Sequence, residues 1–161
     1  MTERPRYFIG QVIGVDDLEQ EQVYLRERAR RHNRLLHGWG IVQGLEVQAG
    51  KPGTGEVKIS PGYALDRRGE EIVVDTGVTV DLSGHAAGQT LYVAVRQDER
   101  TERPVPTPHG NEYTRVRETF AVEVLTSVPR QKALVTLADV ELGRGRTIAR
   151  IGAAHRRHVG G

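Results

Sequence analysis

The spacing of apolar residues changes period once along the chain. Between residues 15 and 37, Leu18, Gln22, Leu25, Ala29, His32 and Leu36 recur at alternating intervals of four and three, which keeps them on one face of an α-helix. Gln22 and His32 make the stripe only partly apolar, so it suits either a coiled-coil seam between copies or a helix laid on its own sheet. Packing onto the body is the reading taken first. Asp16 stands where an N-cap belongs and Glu19 follows three residues later, as in a capping box. Gly38, Gly40 and Gly44 close the helical stretch around Trp39, because glycine allows turns that a side chain would obstruct.

Before the helix, Tyr7 to Ile13 reads as a short apolar strand or extended arm. After it the period falls to two. Strands are predicted at Ile41 to Val47, Val57 to Ser60, Tyr63 to Asp66, Glu70 to Asp75 and around Val78, Val80 and Leu82. Pro61-Gly62 and Asp66-Arg67-Arg68-Gly69 separate them as hairpin turns. A second block runs from Leu91 to Val95, through Phe120, Val122 and Val124, to Ala133–Leu142 and Arg146–Ile151. Arg103 to Pro108 carries three prolines and predicts a long exposed loop.

Together these patterns predict a mainly β protein with one long N-terminal helix, an α+β arrangement whose body is a sandwich or barrel of antiparallel hairpins. Its 161 residues fit one domain. The parts are an N-terminal arm (1–14), the amphipathic helix (15–37), a β body (39–151) and a flexible tail (152–161). With aromatics at 5%, the core must come from Val, Leu, Ile and Ala, whose β-branched members suit a pleated sheet.

Charge and composition exclude several functions. The chain has no cysteine, which removes disulfides and thiolate metal sites. No apolar run approaches the ~20 residues that span a bilayer, and the first residues lead into no signal-peptide core; no membrane role is expected, and the chain is expected to be made in the cytoplasm. Of 23 basic residues only Lys51, Lys58 and Lys132 are lysine; arginine suits bidentate pairing and interfaces. Arg26, Arg28, Arg30, Arg31 and Arg34 crowd the second half of the helix and complement its C-terminal dipole. A net charge of +2 is too small for a nucleic-acid platform.

No catalytic constellation is visible. Ser60, Ser83 and Ser127 lie outside any G-x-S-x-G context, and Glu70-Glu71 and Asp16-Asp17 are sequence neighbours that point apart or cap the helix. Among six histidines, His32 and His37 are five apart and diverge by roughly 140° on an α-helix. His155 and His158 sit in the tail with no carboxylate near them in sequence. No metal, cofactor or enzymatic activity is expected.

Tyr7 to Gln22, the run Arg30-Arg-His-Asn-Arg-Leu-Leu-His-Gly-Trp-Gly-Ile-Val-Gln-Gly-Leu-Glu-Val47, Ile59-Ser-Pro-Gly-Tyr-Ala-Leu-Asp66, Glu112 to Phe120 and Leu137 to Leu142 together resemble a family encoded with phage tails and phage-like contractile injection systems. The resemblance implies a structural subunit of such a particle, at a baseplate, fibre or spike attachment, with further copies of itself and other tail-particle proteins as partners. It also implies that the chain could leave the cell within a virion or released particle. Carried over residue by residue, it singles out Arg30, Arg31, His32, Asn33, Arg34, His37 and Trp39, with Tyr113, Arg115 and Glu118, either as subunit contacts or as intradomain packing. Leu18, Leu25, Ala29 and Leu36 of the helix stripe complete the candidate interface. Many members carry Cys where this chain has Gln43, so a role for that thiol is missing. The alternative is a carbohydrate-binding or receptor tip using the Arg103–His109 loop.

Overall fold

The structure, a computed structural model, describes residues 3–160. It is mainly β, with one N-terminal helix. Helix α1 (Val15–His32) runs into a single π turn (Asn33–His37). Ten strands follow: β1 (Gly40–Gly44), β2 (Val47–Ala49), β3 (Glu56–Ile59), β4 (Gly62–Leu65), β5 (Glu71–Val74), β6 (Val78–Asp81), β7 (Thr90–Thr107), β8 (Gly110–Leu125), β9 (Val135–Leu142) and β10 (Ile148–Gly152). They form three antiparallel sheets with the orders β1-β4-β5, β2-β3-β6 and β10-β9-β7-β8.

One apolar cluster joins the sheets. Ile41, Leu45, Val57, Ile72, Leu91, Val93, Val95 and Leu137 are all buried within it. Strand β9 lies between β7 and β10 and seven of its eight residues are buried, Thr136 and Asp139 among them, as expected of a strand covered on both faces. Helix α1 contributes no buried residue at all. The core closes without it, contrary to the expectation that the helix stripe covers the sheet.

Local corrections have physical causes. Gly14, not Asp16, is the N-cap, and Asp17 returns its carboxylate to the Gly14 N–H at 2.9 Å. The segment at 7–13 makes no strand; it turns at Gly10, φ +89, and Tyr7 donates its hydroxyl to Glu21 on α1. Asp66–Gly69 does close the β4–β5 hairpin, and Asp66, fully buried, accepts the Arg68 and Glu70 N–H groups and the Arg68 Nε. Pro61-Gly62 closes no hairpin: β3 pairs with β2 and β6, whereas β4 pairs with β1 and β5. The chain changes sheet there.

The largest difference is at Arg103–Pro108, expected as a loop. Pro104 and Pro106 instead lie in β7, opposite Tyr113 and Asn111 of β8. Strand β9 pairs with β7 only from Thr90 to Val95, so the outer β7 edge is unpaired beyond that point. Alternate residues face the same edge, and two prolines without N–H groups are tolerated on an edge that needs no donors. The segment from residue 152, expected to be flexible, is also held. Ile41 and His158 form a parallel bridge, Ile41 N–H donates to Arg157 O and Val159 N–H to Ile41 O. Arg156 inserts its guanidinium beneath β1, bonding the Gly44, Leu45 and Leu137 carbonyls.

A candidate interaction face on the helix and the long hairpin

Beyond Glu99, β7 and β8 form a two-stranded ribbon whose β8 half, Gly110 to Glu118, is exposed throughout. A two-stranded ribbon alone is marginally stable in water, and this one exposes Val105, Tyr113 and Val116. Helix α1 runs beside it: Arg26 lies 3.9 Å from Glu99. Between them is an open groove of about 850 Å³ lined by Leu18, Leu25, Tyr113, Arg115, Val116 and Glu118, among others. Residues chosen separately in the sequence, two from the helix stripe and three from the later segment, thus share one groove.

The rest of the candidate set falls into two groups. Ala29, Arg30 and Asn33 line a smaller groove of about 160 Å³ with Gly69, Glu70, Glu71 and Glu118. Here the helix end is fastened to the β4–β5 turn. Arg30 pairs with Glu70 and Glu27, and the hydrogen bond to Glu70 is the main reason its guanidinium is held even more firmly charged than usual. Asn33 donates Nδ2 to Gly69 O at 3.0 Å and to Glu71 at 3.3 Å; Arg34 donates to Arg68 O. These are intradomain contacts. Trp39 neither fills the core nor lies free: it is half-buried with the guanidiniums of Arg67 and Arg157 over its ring at 4.1 and 4.8 Å, two cation–π contacts. Leu36 is 70% exposed, and Arg31, His32 and His37 are exposed as well.

Glu71 links this helix end to Tyr63 on β4. Burial first, and then the Glu71 carboxylate, push the Tyr63 phenol up to about 12. A raised phenol favours the folded chain as long as it keeps its proton. That contribution is complete below the ordinary phenol value near 10 and is lost as pH rises through about 12. An absorbance titration should therefore show the last of the five tyrosines ionising in that window, and Tyr63→Phe should delete that step. Simultaneous ionisation of all five near the ordinary value would refute it.

Sequence reasoning left the apolar residues of the arm out of the candidate interface. Phe8, Ile9 and Val12 are 72, 104 and 91% exposed, and with Val15 and Val23 they extend the apolar face beyond the stripe. The signal was the apolar content of Tyr7–Ile13, read in the sequence as a short strand or extended arm.

No family model and no curated protein sequence matches the chain. Solved structures do match in fold. The crystal structure of TssK aligns over 96% of the chain with a TM-score of 0.60 at 10% identity. The baseplate complex from the type VI secretion system aligns over 92% at a TM-score of 0.60 and 12% identity. A TssK-TssF-TssG baseplate subcomplex of that system aligns over 93% at 0.57 and 13%. The chain spans only 41, 40 and 60% of those longer chains. At such identities the likeness is one of fold.

Proposed function

We propose that the chain is a structural, non-enzymatic subunit of a phage-tail-like contractile injection particle, placed at its baseplate and acting through the α1–ribbon face. The observation that carries the reading is the helix that buries nothing: Leu18, Leu25 and Leu36 are half or more exposed while the core is complete without them. An apolar helix face kept in water is costly to solubility and is retained where another protein covers it. The fold shared with TssK and type VI baseplate structures supports the setting. The partners in this reading are further copies of the chain and neighbouring baseplate proteins, since closed symmetric assembly multiplies modest contacts.

Light scattering on the purified chain across a concentration series tests self-association. A trimer or hexamer is expected, and Leu18→Glu with Leu25→Glu should return it to monomer while leaving the melting temperature within about 2 °C of wild type, as for surface substitutions. A strict monomer at high concentration would end the homo-oligomer part; failure of the Leu18→Glu, Leu25→Glu variant to affect capture by co-expressed baseplate proteins would end the rest. The carbohydrate-binding alternative drew on the β architecture and on an exposed Pro-rich loop; Arg103–Thr107 of that loop lie in β7, which leaves only the turn at Pro108 and His109.

A further inference from the structure

We propose that His32 and His37 form a two-imidazole chelate for a borderline divalent transition ion, of the Zn²⁺, Ni²⁺ and Cu²⁺ class. On a regular α-helix residues five apart diverge, which is why the sequence argued against this pair. The π turn at Asn33–His37 reverses that argument. It is closed by the Gly38 N–H to Asn33 O bond of 3.0 Å, and in a turn closed by bonds between residues five apart, such residues become neighbours on one face. His32 Nε2 and His37 Nε2 stand 3.2 Å apart.

The geometry fits a shared ion. Two metal–nitrogen bonds of about 2.0–2.1 Å meeting near the tetrahedral angle place the nitrogens roughly 3.3 Å apart. The ring centres lie 5.1 Å apart with the planes at 61°. Both rings are exposed, so an ion can reach them. In the metal-free chain one imidazole can donate to the other, which keeps the pair together at no cost in unpaired polar groups.

The donor set selects the ion. Among the described residues no group of three or more His, Cys, Asp or Glu comes together, so the other coordination positions belong to water. Arg31 and Arg34 are sequence neighbours of the pair. Hard cations such as Mg²⁺ and Ca²⁺, which need oxygen ligands, are excluded; imidazole suits Cu²⁺, Ni²⁺ and Zn²⁺, with copper bound most tightly. The ion would tie the last residue of α1 to the last residue of the π turn. Since only the π register brings the rings together, bound metal stabilises that register over a continuous α-helix.

The test is calorimetric titration of the tag-free full chain with NiCl₂ and with CuSO₄, with MgCl₂ as a control. One equivalent of nickel should bind, copper more tightly, and magnesium not at all. His32→Gln and His37→Gln should each weaken binding at least tenfold, whereas His109→Gln, at the far tip of the ribbon, should leave it unchanged. If either single substitution changes affinity less than threefold, or no saturable binding occurs below ~1 mM metal, the assignment is wrong.

Discussion

Gly69→Ala is expected to detach α1 from the body and to leave the β core folded. A Cβ at residue 69 would stand 2.1 Å from the Arg30 carbonyl oxygen, and Gly69 has φ +89, so the substitution adds a backbone clash to a conformation that L-residues avoid. Neither partner can yield easily, because Asn33 and Arg34 fix the helix end to the same turn. Strain and clash together should cost about 3 kcal/mol of local stability. Because α1 buries no residue, the loss should appear as faster hydrogen exchange throughout α1 and the π turn, with β9 amides unchanged. Gly53→Ala supplies the control. That glycine also has a positive φ, +76, but nothing within 4 Å of its missing Cβ, so only about 1 kcal/mol of backbone strain is expected there. Equal effects at the two positions would show that the helix does not depend on this close approach.

Gly69 also shows where the sequence could be read and where it could not. The Asp66–Gly69 turn was legible because its residues act locally: a buried Asp accepts bonds from residues two and four positions on, and glycine supplies the positive φ. The helix and β9 were legible from period and apolar length. What escaped was set by partners distant in sequence. The π turn is made among bonds from Asn33 and Arg34 to Gly69 and Arg68, which no helical wheel contains, and with it went the His32–His37 pairing. The prolines of β7 signalled a loop because proline breaks paired strands; their strand conformation depends on β9 ending its pairing at Val95. Leu18 and Leu25 were recognised as one stripe, but period reports that side chains share a face and is silent on what covers it. Their meeting with Tyr113 and Val116 in one groove required the ribbon.

The same limit hid Arg156, whose substitution by alanine is expected to have the largest effect on global stability. In sequence it is one of two adjacent arginines before the end of the chain. In the fold its side chain is 9% exposed and donates to Leu45 O at 2.7 Å, Gly44 O at 2.9 Å and Leu137 O at 3.2 Å. Its ion pair with Glu46 adds little, because Glu46 is 61% exposed and water screens such pairs. The carbonyls matter more. Leu45 is fully buried and sits at φ +57, a conformation in which its carbonyl turns away from the β ladder and needs another donor. Removing the guanidinium leaves the carbonyls of buried Leu45 and Leu137 short of a donor, at about 1–3 kcal/mol each before relaxation, whereas the carbonyl of exposed Gly44 can turn to water. A total of about 3–5 kcal/mol is expected, which for a chain of this size lowers the melting temperature by roughly 10 °C. Arg156→Lys should recover less than half of this, because a single ammonium cannot reproduce a planar fork that spans carbonyls on separate strands. Thermal melts of wild type and the two variants measure both effects. If Arg156→Ala melts within 2 °C of wild type, water replaces the guanidinium and the final segment is not what holds β1 against β9; if lysine restores full stability, charge rather than the fork accounts for the bond.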